Sequence, residues 1–187
     1  YRVTVSTVSN SDILIDMKVS LLVRENIILR TLEDADAQEF FDITKKNNTY
    51  LRKWLGWLDD DMTVEDTKKY IQESNKRFEN KEGLDLGIFY EGKQIGGIGL
   101  FPWDTANKKI SIAYWLVEEY QGKGIMTDSL KKVIEYAFTE MGLNRIEVTV
   151  ALENVKSSAL PKKLGFTLEG IAREGNWLYD HFVDLEV

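Results

Sequence analysis

Hydrophobic positions along the chain change period several times, and each change marks an element. Ile27 to Leu32 reads as a strand. Glu33-Asp34-Ala35-Asp36 then supplies an acidic start, favourable at the positive end of a helix dipole, and predicts a helix running to about Lys46. A second, short helix is predicted over Tyr50 to Trp57. Thr63, with Asp66 three residues later, resembles an N-cap pair and predicts a helix from Val64 to about Glu79. Leu84, Leu86, Ile88 and Tyr90 alternate with other residues, and Glu91-Gly92-Lys93 turns the chain into Gln94 to Phe101, which predicts a hairpin.

Lys109 to Val117 predicts a strand apolar on both faces, with Ile110, Ile112, Tyr114 and Leu116 on one side and Ser111, Ala113, Trp115 and Val117 on the other. After a glycine-rich turn, Leu130, Val133, Ile134, Ala137, Phe138 and Met141 repeat at helical spacing up to Gly142. Ile146 to Val150 reads as a strand, Val155 to Leu164 as a helix, Phe166 to Glu169 and beyond as a strand, and His181 to Val187 as the last strand. The sum is a mixed α/β (α+β) chain, with hairpins before a central strand-helix-strand unit.

The opening residues do not fit this pattern. Tyr1 to Asp16 is rich in Ser, Thr and Val without a helical period, and Met17-Lys18-Val19 reads like a second start. An N-terminal extension over 1–16 and a domain over 17–187 are therefore expected. Phe182 to Val187 alternates and stops, so a short further tail is expected as well.

At 187 residues, 43% hydrophobic and 29% charged, the chain suits one domain with one sizeable core. It has no cysteine and one histidine, His181, which removes disulfide, thiolate and histidine-rich metal chemistry; no metal is expected. No apolar run approaches the ~20 residues of a membrane span. A net charge of −7 opposes non-specific binding to nucleic acid and favours cationic partners such as amines or basic peptides. A cytoplasmic protein is the expectation.

Candidate chemistry begins at Gln121-Gly122-Lys123-Gly124, between a strand and an amphipathic helix. Glycines let a ligand approach the backbone, and the unpaired N–H groups of the first helical turn bind phosphate oxygens. A diphosphate fits such a turn, although a plain strand-to-helix turn also accommodates two glycines. The residue order is neither that of a Walker loop nor that of a dinucleotide fingerprint.

Gln121-Gly122-Lys123-Gly124-Ile125-Met126 resembles the Gln/Arg-x-x-Gly-x-Gly/Ala signature of the GNAT superfamily of acetyltransferases, with Met126 at the last small position. Glu153-Asn154-Val155-Lys156-Ser157, Leu164-Gly165-Phe166 and Glu169-Gly170 are similar to the second half of that family's pattern, and the likeness runs from about Val23 to the C-terminus. Ile112-Ala113-Tyr114-Trp115-Leu116 and Leu51-Arg52-Lys53-Trp54-Leu55 point to the branch that acetylates N-termini of ribosomal proteins. The resemblance implies a GNAT fold, a twisted, mostly antiparallel mixed sheet of about six to seven strands flanked by helices. It implies acetyl-CoA as co-substrate, a primary amine as acceptor attacked directly in a ternary complex, and a homodimer.

Site residues follow from the same resemblance. A strand splayed from its neighbour at a bulge would bond the pantetheine arm through the backbone of Trp115, Leu116 and Val117. Gln121, Gly122, Lys123, Gly124, Ile125 and Met126 would hold the pyrophosphate, and Asn154 would reach the pantetheine. A backbone N–H near Leu116 would steady the oxyanion, and Ser157 would protonate the leaving thiolate. A glutamate expected after Glu169-Gly170 is replaced by Asn176, which makes Glu174, two residues away, the fallback base. Ser111 likewise stands where many members carry glutamate.

Plainer roles stand beside these. Ser157 and Ser158 also suit a helix cap, and Asn154 suits a turn or a cap. Trp54, Trp57, Trp103 and Trp177 either line an acceptor cleft or fill a core. Asp59-Asp60-Asp61 either attracts a cation or is a solvated loop, and Lys123 either neutralises phosphate or is simply exposed. Polyamines and other small amines remain rival acceptors. The missing glutamates at 111 and 176 keep open a catalytically silent acyl-CoA-binding module.

Overall fold

The computed structural model describes residues 18–187. The expected extension over residues 1–16 and its boundary at residue 17 lie outside the described residues. The larger of two sheets has six strands in the order β1 (Ser20–Arg24), β2 (Ile27–Arg30), β3 (Leu84–Tyr90), β4 (Lys93–Asp104), β5 (Lys109–Leu116) and β6 (Arg145–Glu147). Neighbours are antiparallel except for β5 and β6. The smaller sheet runs β7 (Val150–Ala151), β9 (His181–Glu186), β8 (Ile171–Leu178). This is the mixed α/β fold expected from the resemblance.

Alternation along the strands separates two apolar layers. On one face Leu29, Leu86, Ile88, Ile98, Leu100, Ile110 and Ile112 pack with Leu130, Val133 and Ala137 of helix α4 (Ile125–Thr139). On the other, Leu32 and Phe89 pack with Ala37 and Phe40 of α1 (Ala37–Lys46) and Ile71 of α3 (Val64–Glu79). Burying the leucine, isoleucine, valine and phenylalanine side chains among these contributes roughly 1.5–3 kcal/mol each. Capping fixes where the helices begin. Thr63 accepts from Asp66 N, and the Asp66 carboxylate accepts from Thr63 N at 3.1 Å, so α3 starts where its sequence predicts.

The structure corrects three expectations and adds one strand. The helix expected over Tyr50 to Trp57 is instead the single-turn α2 (Asn48–Leu51), followed by turns. There Tyr179 donates its hydroxyl to the carbonyls of Leu55 and Leu58, which a continuing helix would partly consume. β1 was not foreseen; it is a short edge strand whose side chains are exposed or half-buried, so no core-facing run announces it. Ile146 to Val150 is not one strand. β6 ends at Glu147, and the chain crosses at Val148-Thr149 into the second sheet as β7. Residues 166–169 are likewise not a strand, and β8 begins at Ile171.

The crossing at Val148-Thr149 positions the site. β6 pairs with β5 only over Lys109 to Ser111, so among the described residues no strand lies beside the rest of that β5 edge. Helix α5 (Val155–Lys163) faces the opening. The splay lies between β5 and β6, whereas the register shift of the β4–β5 pair falls in β4, between Leu100 and Trp103.

Candidate active site

A cavity of about 620 Å³ fills the opening between β5 and α5. β5 contributes Tyr114, Trp115 and Leu116, and the following loop contributes Gln121, Gly122 and Gly124. α4 opens with Ile125 and Met126 at the cavity, and α5 adds Asn154, Lys156 and Ser157. Tyr50, Leu51, Trp54 and Leu55 form the far wall. Nine of the residues named from the sequence thus converge: Trp115, Leu116, Gln121, Gly122, Gly124, Ile125, Met126, Asn154 and Ser157. Val117, Lys123 and Glu174 do not line the cavity.

The β4–β5 register decides which backbone groups are available. Val117 N–H donates to Ile95 O at 3.0 Å, and Val117 O accepts from Tyr120 N, so both groups of Val117 are committed. In an antiparallel pair such hydrogen-bonded positions alternate with positions whose N–H and C=O point outward. Leu116 opposes Gly96 and Tyr114 opposes Ile98, and these two residues therefore turn their peptide groups toward the cavity. Trp115, opposite Gly97, faces β4. Leu116 O accepts from Gln121 Nε2 at 3.0 Å, which leaves the Leu116 N–H for a ligand. A ligand amide lying along this edge would be bonded as a neighbouring strand would be.

The loop presents the helix end expected of an anion site. Gly124 is the N-cap of α4 at φ 75°, a left-handed conformation that costs any residue with a Cβ, and it brings the start of α4 to the cavity. Gln121 holds the loop from its side chain: Nε2 bridges Leu116 O and, at 2.7 Å, the hydroxyl of Tyr50. One amide therefore ties β5 to the wall opposite. Lys123 sits outside the cavity with its ammonium 4.9 Å from the ring centroid of Tyr120, and its carbonyl accepts from Arg24, which also pairs with Asp128.

On α5 the roles of cap and hydroxyl separate. Asn154 is the N-cap, its Oδ1 accepting from Ser157 N at 3.3 Å. Ser158 is buried and pairs with Glu186 of β9. The Ser157 hydroxyl is left free of capping, and its Oγ lies 3.2 Å from the phenolic oxygen of Tyr114. Burial pushes the Tyr114 phenol up, against the opposing effect of Ser157, so it is neutral at physiological pH.

Carboxylates are scarce at the cavity. Glu118 is the single one among the lining residues. Glu174 is exposed in a break of the β8–β9 register, its N–H donating to Asp184 Oδ1 at 2.8 Å. Asn176 is exposed on β8, and Ser111 faces β6. Among the aromatic candidates, Trp54 reaches the cavity, Trp57 packs edge-on against Phe40 and Trp115, Trp103 packs against the core, and Trp177 is exposed beside Phe182. Asp60 of the acidic run accepts from Asn48 and Arg52. His181 is exposed and lies against Asp180. Tyr50, Tyr114, Lys156, Lys163 and Glu118 were not named from the sequence as site residues. Among the described residues no cluster of three or more His, Cys, Asp or Glu is placed to hold a metal ion, and no helix is long and apolar enough to cross a membrane.

The chain is similar to known proteins along most of its length. Residues 26–167 match the family described as Acetyltransferase (GNAT) domain. The N-acetyltransferase YdaF of Bacillus subtilis is 35% identical over 164 residues, covering 87% of this chain and 90% of that protein. The spermidine N(1)-acetyltransferase of Escherichia coli K12 is 31% identical over 78% of this chain and 75% of its own, and the ribosomal-protein-serine acetyltransferase of the same organism is 27% identical over 91% and 96%. Among solved structures, the microcin C7 self-immunity acetyltransferase MccE in complex with acetyl-CoA and AMP superposes with a TM-score of 0.83 at 28% identity, over 88% of this chain and 91% of that one.

Proposed function

The chain belongs to the GNAT acetyltransferase family and is an acetyl-CoA-dependent N-acetyltransferase, and within that family we propose that it acetylates the α-amino group of a protein N-terminus, a ribosomal protein foremost. One observation carries the choice of acceptor. The far wall of the cavity is Tyr50, Leu51, Trp54 and Leu55, and Glu118 is the single carboxylate among the lining residues. A polyamine brings several positive charges that need several carboxylates, whereas a peptide N-terminus brings one charge and an apolar or neutral body. The 27% identity to the ribosomal-protein-serine enzyme supports the same reading. The 31% identity to the spermidine enzyme is what favours the rival small-amine reading.

The proposed chemistry uses the groups described. The open β5 edge holds the pantetheine through the backbone of Tyr114, Asn154 Nδ2 adds a donor, and the start of α4 takes the diphosphate. Thioester attack needs a neutral amine, and an α-amino group with a pKa of about 8 is neutral in roughly one molecule in four at pH 7.5, against roughly one in a thousand for a lysine near 10.4. A dedicated carboxylate base is therefore dispensable, which accommodates Asn176 and an exposed Glu174. The Leu116 N–H donates to the oxyanion, and Ser157 protonates the departing sulfur. Cytoplasmic location and a homodimer belong to the same proposal and rest on the resemblance to this branch.

The test is steady-state acetyl transfer from acetyl-CoA to a panel of N-terminal peptides, with spermidine, spermine and ε-amino lysine peptides alongside. The proposal expects higher kcat/KM for α-amino acceptors. Preference for the polyamines would move the assignment to small amines, and acetyl-CoA binding without any transfer would favour a silent binding module.

A further inference from the structure

A proline inside α5 connects the proposed proton donor to a tyrosine on β5. Pro161 has no N–H, so the carbonyl four residues earlier, that of Ser157, loses its helical partner. The Tyr114 hydroxyl fills that vacancy, donating to Ser157 O at 3.0 Å, while Ser157 Oγ lies 3.2 Å from the same phenolic oxygen. Each hydroxyl then has one proton and one use for it: Tyr114 donates to the Ser157 carbonyl, and Ser157 donates to Tyr114. Both side chains line the cavity, and the ring of Tyr114 is held in the partly buried layer against the core.

We propose that Tyr114 is a positioning residue that holds the Ser157 hydroxyl oxygen at the cavity and supports it while charge passes through it. The inference rests on the assignment of Ser157 as proton donor. When the tetrahedral adduct collapses, the C–S bond breaks and its electron pair stays on sulfur. Ser157 turns its O–H from Tyr114 to the sulfur, which takes that proton, and Ser157 Oγ takes the proton leaving the new amide nitrogen. Tyr114 keeps its own proton and turns its O–H from the Ser157 carbonyl to the Ser157 Oγ as negative charge develops there. Thioester and amine become thiol and amide, with no outside acid or base.

The test is a double-mutant cycle of Tyr114→Phe and Ser157→Ala, read in kcat, in KM for both substrates and in acetyl-CoA affinity. Tyr114→Phe keeps the buried ring and should lower kcat by about 3- to 10-fold, the worth of one neutral hydrogen bond, with acetyl-CoA affinity unchanged. In the Ser157→Ala background the same change should have no further effect. An equal loss in both backgrounds would overturn the inference, because Tyr114 would then act only by tying the Ser157 carbonyl of α5 to β5, a contact that Ser157→Ala leaves intact. Full activity of Tyr114→Phe beside an impaired Ser157→Ala would also overturn it and leave the proton donor standing. Full activity of Ser157→Ala would instead remove the proton donor itself.

Discussion

Helix α4 has a left-handed glycine at each end, Gly124 at φ 75° as its N-cap and Gly142 at φ 65° beyond its C-terminus, and only the first lies at the cavity. Replacing either by alanine forces a Cβ into a left-handed backbone, at a cost of about 1–2 kcal/mol. In a chain of this size that lowers Tm by about 2–8 °C. A Cβ at Gly142 would meet nothing within 4 Å, and one at Gly124 would meet only the mobile end of Arg24, at 3.0 Å, so both variants should fold. Their ligand affinities should part. At Gly124 the strain falls on the turn that sets the first N–H groups of α4 at the cavity, and losing one charge-assisted hydrogen bond to phosphate, about 1.5–3 kcal/mol, weakens acetyl-CoA binding by roughly 10- to 100-fold. Gly142→Ala should bind as wild type. Thermal melts and calorimetric titration with acetyl-CoA read both quantities. Equal affinity for the two variants would refute the placement of the diphosphate on this loop.

Two further perturbations probe the frame of the site. Tyr50→Phe removes one end of the Gln121 bridge and should raise KM for the acceptor by about 3- to 10-fold while leaving acetyl-CoA affinity unchanged, as read by steady-state kinetics and titration. Asp36 accepts from Arg30 at 2.7 Å through each oxygen and from Glu33 N at 2.7 Å. Burial pushes its carboxyl up, but these bonds outweigh burial and hold it below the ordinary range. Its stabilisation is therefore fully present above about pH 4 and is lost as pH falls through the depressed folded value. Asp36→Asn should cost about 1–3 kcal/mol at neutral pH and flatten the acid limb of a pH-dependent urea melt.

Periodicity located the elements that bury a face, because burial is what imposes a period on a sequence. α3, β3 and β5 therefore begin or end within a residue or so of their predicted limits. β1 and the break at Val148-Thr149 escaped notice because an edge strand has little to bury, and a change of sheet leaves the apolar alternation Ile146, Val148, Val150 intact. The glycine loop was legible as the turn into α4 because its backbone requirement is local. Tyr114 was not: in the sequence it belongs to an apolar strand face, and its hydroxyl acquires meaning only through Ser157, 43 residues away, and through the carbonyl that Pro161 leaves open. Gln121 was read as part of the signature, but the bridge it makes from Leu116 to Tyr50 depends on a wall built 71 residues earlier. Local motifs announce which loop and helix end meet at the cavity, whereas the side-chain bridges across it are assembled by tertiary contact.

The central claim is that the acceptor is a protein α-amino group, and mass spectrometry of cellular N-termini in matched cells with and without this protein tests it most directly. The account predicts that a small set of N-terminal peptides, ribosomal ones foremost, gains an acetyl group on the α-nitrogen only when the protein is present. An unaltered set of N-termini together with newly acetylated polyamines would contradict it.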